Sequence, residues 1–459
     1  MVNPTIDTHP HFRFCPTRVN RPLQSIDGSI IAPQGFRAAG VFCDIKRMGT
    51  GKGSNNGPKN DLALIVSDAP ATVAGMFTTN QVCAAPVKAC LARIKRGKAR
   101  AIVVNSGNAN ACTGQQGRRD AEAMANLTAQ ALNLDSREIY VGSTGRIGVL
   151  LPMPNVKEGI AAAASQLGST PAHAKAAVEA IMTSDTKPKQ IAVEFSLAGK
   201  TVRLGGICKG AGMIQPGMSS TGARPPLRSL HATMLCFLTT DAAVESRALQ
   251  SALNQAVAQS FNRVTVDGDM STNDTVLILA NGRAANTPLR AGSPALLLFQ
   301  DALNHVTAQL ARMIVLDGEG ASRFVTVRVS GARTAAEADA AARAVANSAL
   351  VKTSWHGGDP NWGRIICALG YSAARVDESK VDIGYSLPGR AKVLYSLKRG
   401  RPTKATFTSL CAIAAAKEFD LHINLNLGRS TALMWASDLT EEYVDFNKGD
   451  VTDPASLGG

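Results

Sequence analysis

A chain of 459 residues with 45% hydrophobic residues can bury a sizeable core in two or more lobes, and its apolar residues are too dispersed for a membrane span of ~20. The formal charge of +14 favours acidic small molecules, but basic residues do not interleave with the sparse aromatics (5%), which excludes a nucleic-acid surface. Nine irregularly spaced cysteines with no CxxC pair, and seven scattered histidines with no HExxH, exclude a disulfide framework and a zinc site and point to reduced thiols inside a cell.

The first thirty residues carry Arg13, Arg18 and Arg21 with a single acid, Asp7, before Asp27. They read either as a mitochondrial targeting leader or as an unstructured tail, since no amphipathic helical pattern is present. Residues 47–60 hold Gly-Thr-Gly-Lys-Gly-Ser, which lacks the Walker A spacing and reads as a polar loop. Apolar runs predict strands at 62–66, 101–104, 202–204, 233–238, 276–279, 324–329 and 380–383. Between them, helix-period segments rich in alanine predict helices at 118–132, 156–167, 172–181, 249–261, 296–313 and 335–349. This alternation predicts an α/β protein of layered sheets and helices.

The middle of the chain carries the chemistry. A glycine-rich turn, Lys209-Gly-Ala-Gly-Met213, is followed by Gln215-Pro-Gly-Met218 and, after 219–231, by Ala232-Thr-Met-Leu-Cys-Phe-Leu-Thr-Thr-Asp241. A small residue, a threonine and a β-type run are the ingredients of a self-cleaving threonine. The Thr233 hydroxyl would attack the Ala232 carbonyl and leave Thr233 as a new N-terminus with its own amine as base. Taken alone, the same threonine could simply open a buried strand, where β-branched residues are favoured.

Nine segments decide between these readings. They are Phe77-Thr-Thr-Asn80, Asn105-Ser-Gly-Asn-Ala-Asn-Ala-Cys-Thr-Gly114, Ser143-Thr-Gly145, Met182-Thr-Ser-Asp-Thr186, Lys209-Gly-Ala-Gly-Met213, Ala232-Thr-Met-Leu235, Phe261-Asn-Arg-Val-Thr-Val-Asp-Gly-Asp269, Asp317-Gly-Glu-Gly320 and Gly358-Asp-Pro-Asn-Trp-Gly-Arg364. In this order the chain resembles the ornithine acetyltransferase (glutamate N-acetyltransferase) family of arginine biosynthesis, from about Ile31 to about Thr452. The resemblance implies an N-terminal-nucleophile-like acyltransferase architecture, like that of the DmpA-type aminopeptidases. It implies a precursor with an N-terminal extension (1–30), an α chain (31–232) and a β chain (233–459), assembled as α2β2. It implies acetyl transfer from N2-acetylornithine to glutamate through an acetyl-Thr233 ester, with no cofactor, no nucleic acid and no membrane. For some members it also implies acetyl-CoA-dependent synthesis of N-acetylglutamate.

The site residues follow residue by residue from the same resemblance. Thr144 and Gly145 match the oxyanion pair, where a hydroxyl and a backbone N–H converge on one developing negative oxygen. Thr183 and Lys209 match the groups that hold a substrate carboxylate, Glu319 the acid that meets an ammonium, and Asn447 and Thr452 the final binding pair. Without the resemblance Lys209 and Glu319 would read as surface charges. The Asn-rich 105–110 segment, 261–269 with Ser271-Thr-Asn-Asp274, and the His356 loop read as scaffold, and His356 shows no acidic partner near it in sequence. Residues 219–231 read as a loop inserted into the family pattern just before the scissile bond, which makes Ser220 the rival nucleophile by spacing from Lys209. Rival functions are an aminopeptidase or amide hydrolase of the same fold, which generally uses serine and lacks the Lys-Gly-x-Gly-Met signature, and an uncleaved non-enzymatic binding protein.

Overall fold

The computed structural model describes residues 23–46, 58–223 and 234–448. Its strands are β1 (Gln24–Ser25), β2 (Phe36–Val41), β3 (Leu62–Thr78), β4 (Lys98–Asn108), β5 (Ile139–Arg146), β6 (Lys189–Leu197), β7 (Lys200–Lys209), β8 (Met218–Ser219), β9 (Leu235–Thr240), β10 (Val264–Thr265), β11 (Thr275–Ala280), β12 (Phe324–Ala332), β13 (Asp382–Ser386), β14 (Leu394–Lys398), β15 (Arg401–Pro402), β16 (Glu418–Asn424) and β17 (Ser430–Ser437). The helices are α1 (Ala85–Ile94), α2 (Gly114–Leu132), α3 (Met153–Ser165), α4 (Pro171–Ile181), α5 (Ser246–Gln259), α6 (Pro294–Leu316), α7 (Ala335–Asn347), α8 (Ala349–His356), α9 (Trp362–Gly370), α10 (Phe407–Ala414) and α11 (Glu441–Phe446). The layered α/β arrangement expected from the alternation is what these elements form.

Ten strands make one sheet in the order β1-β6-β7-β9-β11-β3-β4-β5, with β2 and β8 also paired to β3. Seven make a second, β10-β17-β12-β16-β13-β14-β15. The central strand β9 is apolar at consecutive positions because both its faces are covered. Cys236 and Leu238 pack with Leu249 and Leu253 of α5 and Leu303 and Leu310 of α6. Leu235 and Phe237 point the other way, into a core with Ala177 and Ile181 of α4 and Val87 of α1. Helix α6 also reaches the second sheet, since Phe324, Leu433 and Trp435 belong to the same core. The second sheet is closed by α7 and α8, with Trp355, Tyr385 and Phe419 fully buried among their aliphatic neighbours.

Helix starts follow local chemistry. The Ser293 side chain accepts from the Leu296 N–H with Pro294 in the first turn of α6, and Thr334 and Thr440 cap α7 and α11 likewise. The predicted helices are all present, with ends shifted by a few residues. The strands β1, β2, β5, β6, β8, β10 and β14–β17 and the helices α1 and α8–α11 are additional to the sequence reading.

Part of the segment read above as the extension packs on the first sheet: Gln24 and Ser25 pair with Glu194 and Val193, and Ile30, in a 3₁₀ turn at Ser29–Ile31, is fully buried. The Ser29 carbonyl lies so close to Gly205 that a Cβ there would meet it at 1.9 Å. Residues 1–22, most of the 47–60 loop, and the residues from 449 onward lie outside the described set. The eight described cysteines are all free.

Candidate active site

Strand pairing converges three segments on the start of β9. Lys209, the last residue of β7, pairs with Leu235, and Leu235 pairs with Thr275 of β11. Strand β5 ends at the oxyanion motif, with Ser106↔Thr144 and Gly107↔Gly145 in parallel register with β4. Gly145 has φ +128°, and a Cβ would meet the Gly107 carbonyl carbon at 2.3 Å and the Asn108 nitrogen at 2.6 Å. Both facts require glycine. Thr144 and Gly145 line a small cleft together with Met213 and Asn273.

The Asn-rich segments hold this corner, as the scaffold reading expected. The Asn273 amide donates to the carbonyls of Ala109 (2.6 Å) and Ser143 (2.8 Å), and the Ser143 hydroxyl donates to Asn105 Oδ1 at 2.6 Å. These bonds fix the carbonyl immediately before Thr144. The backbone at Thr144 and Gly145, expected above to present oxyanion donors, is thereby tied from two sides.

Lys209 is not a surface charge. It is 3% exposed, and its Nζ donates to the Thr144 hydroxyl at 3.4 Å. Burial lowers its pKa, opposed by the Asp185 carboxylate. Asp185 accepts from the Gly210 N–H at 2.7 Å, from the Thr183 N–H at 3.0 Å and from Lys189 Nζ at 2.6 Å. Burial alone would raise the Asp185 carboxyl, but Lys189, Lys209 and the Gly210 N–H hold it well below the usual carboxylate range. Lys189 is buried as well, yet Asp185 and Asp317, the latter at 2.5 Å, raise its pKa and keep it charged. Asp317 also accepts from the Thr186 backbone and hydroxyl.

This buried network sets the spacing of the remaining residues. Asp317 anchors the turn that presents Glu319, whose N–H donates to the Ala211 carbonyl at 2.9 Å. The Glu319 carboxylate fills the space beside Gly212, where a Cβ would meet it at 2.4 Å, and accepts from Asn447 Nδ2 at 2.9 Å. Asn447 sits just past α11, which Tyr443 ties to the floor of the Met213 turn through Asp267 at 3.3 Å. Asp267 in turn accepts from the N–H groups of Met213 (2.6 Å) and Ile214 (2.8 Å).

Thr144, Gly145 and Lys209 therefore meet directly, Thr183 joins them through Asp185, and Glu319 and Asn447 join through the 210–213 turn. Ala232, Thr233 and Thr452 lie outside the described residues. Met234 is described, and its N–H donates to Asp274 Oδ1 at 2.5 Å. The rival Ser220 follows β8, whose Ser219 pairs with Phe77 on the far side of β3, away from the Lys209–Leu235 pair. His356 does have acidic partners, contrary to the sequence reading: Glu441 Oε2 lies 3.0 Å from Nε2 and Asp438 Oδ2 lies 3.4 Å from Nδ1. Both come from beyond β17, so neighbours in sequence could not reveal them. Sequence reasoning also missed Asp185, Lys189, Asp317, Asp267 and Asp274. All but Lys189 fall inside the quoted motifs, which was the available signal.

The chain is similar to known proteins over most of its length. The family model described as the ArgJ family matches residues 37–450. The arginine biosynthesis bifunctional protein ArgJ of Symbiobacterium thermophilum is 45% identical over 425 residues, covering 93% of this chain and 99% of that protein. The glutamate N-acetyltransferase of Methanocaldococcus jannaschii is 42% identical over 430 residues, with the same coverage of 93% and 99%. A crystal structure of ornithine acetyltransferase complexed with ornithine, from Mycobacterium tuberculosis, is 38% identical and covers 43% of this chain and 100% of that chain, with a TM-score of 0.39. The curated relatives named here come from a bacterium and an archaeon, so they lend no support to a mitochondrial address. With a family model spanning most of its length and relatives above 40% identity at nearly full coverage, this chain belongs to the ArgJ family.

Proposed function

We propose that this acyltransferase moves acetyl from N2-acetylornithine to glutamate, giving ornithine and N-acetylglutamate, through an ester at Thr233. The precursor is cut between Ala232 and Thr233 into chains 1–232 and 233–459, which pair as α2β2 in the cytoplasm. The observation that supports this best is the junction of Thr144, Gly145 and Lys209 at the pair Lys209↔Leu235, two residues beyond Thr233. The strand that would carry this nucleophile begins at Leu235, beside the corner where Thr144, Gly145 and the buried Lys209 meet.

The roles follow from that placement. The Thr233 hydroxyl attacks the acetyl carbonyl while its freed amine accepts the proton. The Thr144 hydroxyl and the Gly145 N–H stabilise the oxyanion, a contribution of ~3–4 kcal/mol for a single such donor. Lys209 and Thr183 take the substrate α-carboxylate, Glu319 with Asn447 the far ammonium, and Thr452 closes the site. Ornithine then leaves, glutamate enters, and its amine attacks the ester. Thr233, rather than Ser220, is favoured because the strand that enters the corner begins just behind it. The amide hydrolase reading is disfavoured because Lys209, of the Lys-Gly-x-Gly-Met signature that marks the resemblance to the acetyltransferases, is built into this corner.

The test is a quenched reaction of purified enzyme with N2-acetylornithine alone. One equivalent of ornithine and an acetate ester on Thr233 are expected. If ornithine appears only when glutamate is also bound, the two-step reading is wrong. Because several relatives are called bifunctional, acetyl-CoA should be offered as donor in the same assay.

A further inference from the structure

Asn447, which donates to the Glu319 carboxylate, ends a segment whose beginning has no role so far. That beginning grips the Glu319 turn from behind. Asp438, at the exit of β17, has a side chain that is 0% exposed. Its Oδ1 accepts from the N–H groups of Ser322 (2.9 Å) and Arg323 (3.0 Å), and its Oδ2 accepts from the Ser322 hydroxyl. The Asp438 N–H donates in return to the Arg323 carbonyl at 3.3 Å. Helix α8 fastens both partners. Arg323 donates to the carbonyls of Trp355 (2.6 Å) and His356 (2.9 Å) at the end of that helix, where a cation is favoured, and Lys352 Nζ donates to the Ser437 carbonyl.

Thr440 follows, buried, and its one hydroxyl makes two bonds. It donates to the Gly320 carbonyl at 2.8 Å and accepts from the Tyr443 N–H at 3.1 Å in the first turn of α11. The first bond holds the residue directly after Glu319. The second fixes the start of the helix that delivers Asn447. Gly320 has φ +64°, and a Cβ there would meet the Tyr443 nitrogen at 2.4 Å, so the close approach of α11 requires glycine. Helix α11 has six residues, none of them buried. So short a helix does not persist on its own, and its position rests on these bonds.

Resting on the reading that Glu319 with Asn447 meets the far ammonium of the donor, we propose that Thr440, braced by Asp438, is the positioning residue of that pocket. Its hydroxyl sets the separation of Glu319 and Asn447, and with it the preference for a donor whose side chain ends in a cation. A charge-assisted bond is strong when the carboxylate is held in place before the ammonium arrives. Without the Thr440 hydroxyl, the Glu319 turn loses its grip on α11 and the two groups no longer face one point. The groups assigned to the acetyl carbonyl and the α-carboxylate lie on other elements and keep their places.

The experiment compares two donors on mature full-length enzyme: N2-acetylornithine, and N2-acetylnorvaline, which keeps the three side-chain carbons and lacks the ammonium. The readout is the ratio of their kcat/KM values. Thr440→Val, which keeps the shape and deletes the hydroxyl, should lower that ratio about 10-fold or more, and Thr440→Ser should restore it. A general loss of folded enzyme lowers both donors together and leaves the ratio alone. Glu319→Gln is run beside them. A ratio that falls in Glu319→Gln but not in Thr440→Val overturns the role of Thr440 and leaves the Glu319 reading standing. A ratio unchanged in Glu319→Gln overturns both. A ratio that Thr440→Ser does not restore also overturns the proposal, because the hydroxyl is then not responsible. Native-state hydrogen exchange of the wild type covers a Thr440→Val chain that does not fold. The Ser322, Arg323 and Tyr443 amides should share one opening free energy and one urea dependence, as parts of a single unit. Separate values for the turn and for α11 overturn the coupling.

Discussion

Lys189 shows why the most consequential residues of this site were hidden in the sequence. Two aspartates 132 positions apart, Asp185 and Asp317, close on it with side-chain exposures of 1%, 0% and 6% for the lysine and the two acids. Replacing Lys189 by methionine removes the cation that both buried carboxylates contact. It should cost ~3–5 kcal/mol in urea unfolding, and a loss under 1 kcal/mol would refute the network as the site's frame. On the proposed mechanism Thr144→Val acts differently, because the hydroxyl would matter once charge develops on the oxyanion. Its kcat should fall ~100–1000-fold with KM little changed; a rise in KM at unchanged kcat would assign Thr144 to ground-state binding instead. Gly145 and Lys209 were legible because a family motif marks them. The charged frame was not, because each of its members alone reads as a solvated surface residue and only the folded chain brings them together.

At the scale of elements, periodicity revealed the long helices and the central strands, since their apolar pattern records which faces are covered. Strand β5 escaped because Gly142, Ser143, Thr144 and Gly145 replace an apolar run at its working end. Helix α11 escaped for the opposite reason, being short and largely exposed, with Asn447 at its tip. The inserted segment has measurable anchors. Ser219, Phe77, Thr275 and Leu235 form one row across β8, β3, β11 and β9, so the ends of the intervening chain lie three strand spacings apart, about 14 Å. Deleting 219–231 leaves residues 232–234 between Met218 and Leu235, four steps of ~3.5 Å that only just span the gap. Cleavage relieves that stretch, so the deletion should still mature, with a β chain beginning Thr-Met-Leu on a denaturing gel and by sequencing. A deletion that stays whole while the full-length protein matures would return the choice to Ser220.

At the scale of the molecule, stability carries a pH signature. Burial raises the thiols of Cys43, Cys83, Cys90, Cys208 and Cys236, with Cys90 pushed up to about 12. Unfolded thiols ionise near ~8.5 while these stay protonated, so their contribution is complete below that pH and is lost as pH climbs toward the folded values. Lys46 and Lys352, lowered to about 8 by burial, work in the opposite sense between that value and their unfolded one. With five thiols against three lysines, Lys209 being lowered by burial as well, unfolding in urea under reducing conditions should become easier from pH 8.5 to 10, and a Cys208→Ala/Cys236→Ala double variant should flatten the fall. A steeper fall in the double variant would count against the assignment.

The order β1-β6-β7-β9-β11-β3-β4-β5 has one more consequence. A cut before Thr233 assigns β9 and β11 to the second chain, while the strands on either side of that pair, β7 and β3, remain with the first. The products are laced through a common sheet and can part only by tearing it at two seams. On the proposed cleavage, maturation would therefore act as a ratchet. The uncut polypeptide can find its fold as a unimolecular process, whereas the mature pair, once opened, faces a search whose rate depends on concentration. Diluted from urea, an uncut Thr233→Ala chain should regain native circular dichroism at a rate independent of protein concentration. Mature enzyme treated the same way should recover activity slowly, at a rate that falls as the protein is diluted. Equal, concentration-independent recovery of both would show that the two chains were never interlocked.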